Sequence, residues 1–185
     1  MITCRLASTI EEWVKALRLV YQVYQQAGLL GPNRYQLRVT PYHLLPSTDV
    51  FVATEQANVV ATATLVRDGL LGIPAEAIYQ REIRDHRSRK RVFGEITCLV
   101  MKGGEQGELK LFLSLLRLVV QYARYTEHLD EIFLAAHPRP HVDEARLDQR
   151  ELAQVLDGGE LRRHVLGQGG PSLVVHGEIM PVRVG

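Results

Sequence analysis

A carboxylate in the middle of an apolar strand is the feature of this chain that most directly suggests chemistry. In Phe93-Gly94-Glu95-Ile96-Thr97-Cys98-Leu99-Val100-Met101, Glu95 is the sole charged residue. A strand flanked by helical patterns is normally covered on both faces and reads as a continuous apolar run. A carboxylate there is costly unless it is hydrogen-bonded or lines a cavity. Strict strand alternation puts Glu95, Thr97, Leu99 and Met101 on one face and Ile96, Cys98 and Val100 on the other. The first face then offers a carboxylate, a hydroxyl and two apolar groups in a row. Such a surface suits a cleft in which an amine loses a proton beside an apolar chain. The competing reading is a strand-end carboxylate paired with one of the nearby arginines.

Three further groups carry possible chemistry. Gly103, Gly104 and Gly107 form a turn ahead of a long helical pattern. Backbone N–H groups at such a helix start attract a phosphate or a pantetheine carbonyl. Glu105 and Glu108 work against a strongly charged phosphate, and glycines are also ordinary turn residues. Arg84, Arg87, Arg89, Lys90 and Arg91, with Arg81, cluster on and after one helix. A basic patch speeds and orients the docking of an acidic partner; alternatively it is a solvated helix face that Glu82 and Asp85 partly neutralise. No aromatic residues are interleaved with it, which argues against nucleic acid. His137 and His141 are separated by Pro138 and Pro140, which forbid a regular helix. Zinc needs three or four ligands, so no metal is expected. His137 can still polarise a carbonyl or shuttle a proton, or be satisfied by loop backbone.

These residues need a scaffold, and 185 residues with 46% hydrophobic and 23% charged content fit a single domain over 1–185. A chain of this size buries about 70% of its unfolded surface and needs no metal or disulfide. The net charge of +1 gives no global case for nucleic acid or membrane. Cys4 and Cys98 lie in apolar strand-like segments and read as buried free thiols of a reducing compartment. No secretory pattern opens the sequence, and no apolar run approaches the ~18 residues of a membrane span. A cytoplasmic protein is expected.

Residues 2–6 read as a strand. Ser8-Thr9-Ile10-Glu11 has capping-box spacing, with Ser8 as the cap. Trp13, Leu17, Val20, Tyr21 and Tyr24 form one apolar helix face, and Gly28 stands where a left-handed terminus is expected. Residues 29–48, with Gly31, Pro32, Asn33, Pro41 and Pro46, read as a long loop of the kind that forms lids or walls. Asp49 to Glu55 and Val59 to Val66 read as an antiparallel hairpin, followed by a helix near 75–87. After strand 93–101 a strong helix spans about 107–127, with Leu109, Phe112, Leu113, Leu116, Val119, Val120 and Ala123 as its stripe. Glu131 to Ala136 is the next strand. A weaker helix over 143–156 and closing strands at Leu161 to Leu166 and Ser172 to Val175 complete the expectation. The order implies an α/β domain with a mixed, mostly antiparallel sheet and helices on both faces. Its central strand–helix–strand unit has parallel neighbours, which leave a V-shaped cleft where they splay.

At these residues the chain resembles the N-acyl amino acid synthases, which share the acetyltransferase-like (GNAT-type) fold with the acyl-homoserine-lactone autoinducer synthases. The stretches that carry the resemblance are Val23 to Leu30, Val50 to Thr54, Val59 to Asp68, Leu71-Gly72-Ile73-Pro74, Tyr79 to Ile83 and Phe93 to Leu99. His137-Pro138-Arg139 matches the family's short Asn-Pro-Arg/Lys stretch. The resemblance covers about residues 20–140. It implies transfer of a fatty acyl group from an acyl carrier protein (or coenzyme A) thioester to the amine of an amino acid or similar small molecule. No bound cofactor is implied. Glu95 falls at the family's strand glutamate, as general base, and His137 is the second candidate catalytic residue through the carbonyl-polarising or proton-shuttling role given above. Thr97, Leu99, Met101 and Arg139 would hold substrate, Gly103 and Gly104 the donor pantetheine, and the basic cluster the acidic carrier protein. The chain departs from the pattern twice. No Phe or Tyr follows Tyr125, so a tyrosine able to protonate the departing thiolate is absent. Lys102-Gly103-Gly104-Glu105-Gln106-Gly107 does not match the acetyltransferase pyrophosphate loop. The missing tyrosine and the altered tail after Arg139 leave room for a non-catalytic acyl-ligand sensor or adaptor that keeps the cleft, and the loop departure favours a carrier-protein donor over coenzyme A.

Overall fold

The computed structural model describes residues 1–102, 108–136 and 178–183. Six strands form one sheet in sequence order: β1 (Ile2–Leu6), β2 (Thr48–Glu55), β3 (Asn58–Arg67), β4 (Phe93–Met101), β5 (Glu131–Ala136) and β6 (Glu178–Arg183). All neighbours are antiparallel except β4 and β5, which run parallel around the long helix that joins them. Helix α1 (Ile10–Gln26) covers one face and α3 (Glu108–Tyr125) the other; α2 (Gln80–Ser88) lies between β3 and β4 in the chain. The expected mixed sheet with helices on both faces is therefore the observed architecture. The two faces have separate cores. Ile96, Leu115, Leu116, Val119, Val120 and Ala123 pack on the α3 side, while Leu19, Val20, Cys98 and Val100 pack on the α1 side.

Helix α1 starts one residue later than the spacing predicts. Thr9 is the cap, its hydroxyl accepting from the Glu12 N–H at 3.2 Å. Glu12, not Glu11, reaches back to accept from the Ser8 N–H at 2.9 Å. Arg5 on β1 pairs with the same carboxylate, which is held down at about 2, chiefly by the Arg5 hydrogen bond. That cross-element ion pair selects Glu12 over its neighbour. At the other end, Gly28 has φ +71°. The Leu29 N–H donates to the Tyr24 carbonyl and the Gly28 N–H to that of Gln25, the two-bond ending that releases the chain into the 29–48 loop.

One other expectation changes. The helix placed near 75–87 is two pieces, a 3-10 turn at Pro74–Ala77 and then α2 from Gln80. The expected helix at 143–156, the strands at 161–166 and 172–175, the turn glycines Gly103 and Gly104, and His137 and Arg139 all lie outside the described residues. Strand β6, which periodicity did not mark, pairs with β5 at the sheet edge. It contains Pro181, and an edge is where a strand tolerates a residue lacking N–H.

Candidate active site

The cleft is built by two irregularities in β4. Residues Phe93–Ile96 pair with Glu131–Leu134 of β5, yet β4 runs on to Met101 and β5 to Ala136 without further pairing to each other. The parallel strands part after Ile96, as the strand–helix–strand unit implied. From Thr97 onward the edge of β4 toward β5 offers backbone groups to a ligand.

The second irregularity is a bulge. Thr64 opposes Thr97 while Thr62 opposes Val100, so Ala63 faces both Cys98 and Leu99. Cys98 takes φ +51° to make the step, a rare conformation for a residue with a side chain. This corrects the alternation read from sequence. Glu95 and Thr97 lie on the α1 side, opposite Val66 and Thr64, and Cys98 and Val100 follow on that same side. Leu99 and Met101 pass to the α3 side, against the core of that helix. The acid and the two apolar residues therefore occupy opposite faces, because the extra residue shifts the phase of the strand by one.

Glu95 is 2% exposed. Its Oε2 accepts a 2.6 Å hydrogen bond from the Ala75 N–H. The local sequence arranges this. Gly72, at φ +67°, turns the chain, and Pro74 starts the 3-10 turn without an N–H of its own. Ala75 then supplies a backbone donor in the first turn, and the carboxylate occupies it. Burial pushes Glu95 up to about 7, with the Ala75 bond opposing. A buried carboxylate titrating near neutrality can hold or release a proton under physiological conditions.

Near Glu95 or Cys98 stand groups that sequence reasoning placed only in an apolar helix face or a long loop. Tyr24 of α1 packs on the cluster containing Cys98, and burial, first of several causes, raises its phenol to about 12. Burial likewise raises Cys98, so neither side chain ionises near neutrality. Tyr42, in the 3-10 turn Pro41–Leu44, packs on the cluster containing Ile73, Ala75 and Phe93 and is raised by burial and then by Glu95. Arg38 bears electrostatically on Tyr24, Cys98 and His43. The one available signal was the length and composition of the 29–48 loop.

The basic cluster is not uniform. Arg87 is held between Asp68 at 2.7 Å and Glu76 at 2.8 Å, tying α2 to the end of β3 and the 3-10 turn. Arg89 pairs with Asp85 one turn earlier. Arg84, Lys90 and Arg91 form no ion pair among the described residues. No group of acidic, His or Cys side chains suited to a metal occurs among the described residues. No described helix is long and apolar enough to cross a membrane.

A parallel pair that splays beside a bulged strand, under a mixed sheet with helices on both faces, is the architecture of the acetyltransferase-like acyltransferases. The solved structure of FeeM, an N-acyl amino acid synthase from uncultured soil microbes, matches all of this chain and 91% of its own at 19% identity and TM-score 0.70. The acyl-homoserine lactone synthase LasI matches with the same coverage at 11% identity and TM-score 0.65. BjaI, a coenzyme A-dependent acyl-homoserine lactone synthase solved with SAM and isopentyl-CoA, matches all of this chain and 83% of its own at 15% identity and TM-score 0.62. Residues 15–142 match the family of the N-acyl amino acid synthase FeeM, and the chain belongs to that family. It is an N-acyltransferase of this fold. Among curated proteins no sequence match is found.

Proposed function

We propose that this enzyme moves a fatty acyl group from a carrier-protein thioester to the amine of an amino acid or closely related small molecule. The observation that carries the reading is Glu95, a buried carboxylate near pKa 7 on the acceptor side of β4, beside the point where β4 and β5 part. Glu95 removes the amine proton directly or through a water. The attacking nitrogen bonds to the thioester carbon, and the carbonyl becomes an oxyanion that backbone N–H groups on the open edge of β4 stabilise. Collapse expels the pantetheine thiolate. A thiol of pKa about 8–9 is a tolerable leaving group without a tyrosine acid. Leu99 and Met101, with the leucines of α3, would line the acyl slot. Thr97 on the opposite face would meet the acceptor. His137 would polarise a carbonyl or shuttle a proton, Arg139 would hold substrate, and the backbone N–H groups of Gly103 and Gly104 would meet the donor pantetheine.

Acyl carrier protein and coenzyme A thioesters of equal chain length, each offered with a mixture of amino acids and read by mass spectrometry, test the reading. The expected result is an N-acyl amino acid formed faster from the carrier protein. Faster turnover of the coenzyme A thioester would turn the reading toward a general acetyltransferase. Acyl-ligand binding without any product would favour a sensor.

Carrier docking makes a second expectation. Charge reversal at Arg84, Lys90 and Arg91 should slow association with the acidic carrier at low salt and flatten its salt dependence, since exposed charges steer more than they hold. Arg87 and Arg89 already have intramolecular partners, so reversing them should act more on the fold than on docking. Association rates from stopped-flow fluorescence separate the two groups. An unchanged rate for the first trio would make the patch a solvated face.

A further inference from the structure

One arginine of the basic cluster is bound to the scaffold of Glu95. The Arg87 guanidinium is shared by two carboxylates, each gripped at both oxygens. Nη1 and Nη2 donate to Glu76 Oε1 and Oε2 at 2.9 and 2.8 Å. Nε and Nη2 donate to Asp68 Oδ2 and Oδ1 at 3.0 and 2.7 Å. A planar fork can do this and an ammonium cannot. Both carboxylates belong to segments that meet at the candidate base. Asp68 follows β3, and its N–H donates at 3.0 Å to the carbonyl of Phe93, the first residue of β4. The guanidinium carbon lies 5.9 Å from the centroid of the Phe93 ring. Glu76 is the residue after Ala75, in the 3-10 turn whose N–H donates to Glu95 at 2.6 Å. Gly72 leaves the space for this clamp: a Cβ there would run into the Glu76 carboxylate and stand 3.4 Å from Arg87 Nη2. The Arg87 side chain is 41% exposed, where ion pairs add little to overall stability. What four bonds in one geometry supply is a fixed placement of one segment on another.

We infer that Arg87 is a positioning residue for the reaction: by locking Glu76 to Asp68 it holds the 3-10 turn at β4, so that the Ala75 N–H stays on the Glu95 carboxylate. This rests on the reading of Glu95 as the base. A backbone donor favours the ionised carboxylate, the form that accepts the amine proton. Burial is the opposing and larger influence on Glu95, so a turn that drifts away leaves the carboxylate protonated to higher pH. The register neighbours of Glu95 are apolar, Val66 on β3 and Phe133 on β5. The titratable groups that feel its charge are Tyr24 on α1, Tyr42 in the turn Pro41–Leu44 and Cys98 on β4 itself. Burial raises all three, and they stay neutral near pH 7. Glu76 on the turn is neutralised by Arg87, whose hydrogen bond holds it below its ordinary value.

Arg87→Gln tests this by removing the charge and the fork. Arg87→Lys keeps the charge alone, and Glu76→Gln leaves the arginine with one carboxylate. Arg5→Gln is the comparison, because Arg5 joins β1 to α1 through Glu12 at the same 41% exposure, in a part of the fold that does not carry Ala75. Carboxyl 13C resonances of glutamate-labelled protein, with Glu95 assigned by its loss in Glu95→Gln, read the midpoint directly. The pH–rate profile with acyl carrier protein thioester and L-leucine reads it through turnover. In Arg87→Gln the Glu95 midpoint should rise by about one pH unit, the size expected when a hydrogen bond to a charged group is weakened. Turnover should then fall about tenfold at pH 6 and hardly at all at about pH 9. Arg87→Lys and Glu76→Gln should shift the midpoint in the same direction by less. Arg5→Gln should leave it in place while lowering the unfolding midpoint. An unchanged Glu95 midpoint in Arg87→Gln, a fall toward the ordinary 4.5, or an equal rise in Arg5→Gln overturns the inference. Should Arg87→Gln fail to fold, Arg87→Lys and Glu76→Gln are read by the same outcomes. Should acyl transfer fail with every donor, the proposed reaction fails, and the carboxyl titration alone decides the role of Arg87: a rise of the midpoint sustains it, and no rise overturns it.

Discussion

Glu95→Gln should lower acyl transfer by at least about 100-fold and at the same time make the folded protein harder to unfold at pH 8. The first effect follows because glutamine keeps the shape and can still accept the Ala75 N–H bond, but cannot take a proton from the amine. The second follows from linkage. Burial raises the folded-state value to about 7, above the ordinary 4.5. Between those values the folded protein holds a proton that the unfolded chain has released, so stability falls as pH rises from about 4.5 through 7. Above that window the ionised carboxylate costs the fold on the order of 3 kcal/mol, a cost glutamine does not carry. Activity runs the other way, rising with pH through about 7 as the base ionises. Urea unfolding at pH 5 and pH 8, beside a pH–rate profile, checks both halves. A mutant that turns over at the wild-type rate would remove Glu95 from the chemistry; one that loses activity and stability together at pH 8 would make it a structural carboxylate.

Gly94→Ala should destabilise the domain by about 1–3 kcal/mol and impair catalysis beyond that loss. A Cβ at this position would stand 2.9 Å from the Val66 carbonyl oxygen, 3.1 Å from Leu129 Cδ1 and 3.4 Å from Arg67 Cα. Two of those three atoms are backbone, so the clash is not relieved by turning a side chain, and overpacking of this kind typically costs 1–3 kcal/mol. Because Val66 is the register partner of Glu95, the forced separation of β3 from β4 falls on the base itself. An unfolding free energy within about 0.5 kcal/mol of the wild type, the range of ordinary surface substitutions, would show that the two strands yield freely.

The parts of this molecule that sequence made legible are those governed by periodicity and punctuation. The β2–β3 hairpin, the α3 stripe and the left-handed end at Gly28 obey local rules, and local rules are visible in one chain. Glu95 was visible for the opposite reason, since an acid in an apolar strand contradicts its surroundings. What could not be read were features created by tertiary contact. The bulge at Cys98 has no glycine or asparagine to announce its φ of +51°, and without it Leu99 and Met101 are assigned to the wrong face. The choice of Glu12 over Glu11 depends on Arg5 in a different element. Tyr24 was assigned to a packing face, as its spacing dictates, and nothing local distinguishes a phenol that packs from one that also meets a thiol. Arg38 lay in a segment with no period, and its Nε, buried with no hydrogen-bond partner among the described residues, takes that place only once α1 and the loop are docked.

The one-residue step at Cys98 has a consequence for how such an enzyme diversifies. On the proposed reading, the acyl chain meets β4 through Leu99 and Met101 and the acceptor meets it through Glu95 and Thr97, with the sheet itself as the partition. A regular strand would have set all four side chains into one chamber, where each change of donor would disturb the acceptor. Dividing them lets residues on one side drift toward a longer or shorter chain while those on the other adopt a new amine, so two preferences carried by nine consecutive residues can be inherited separately.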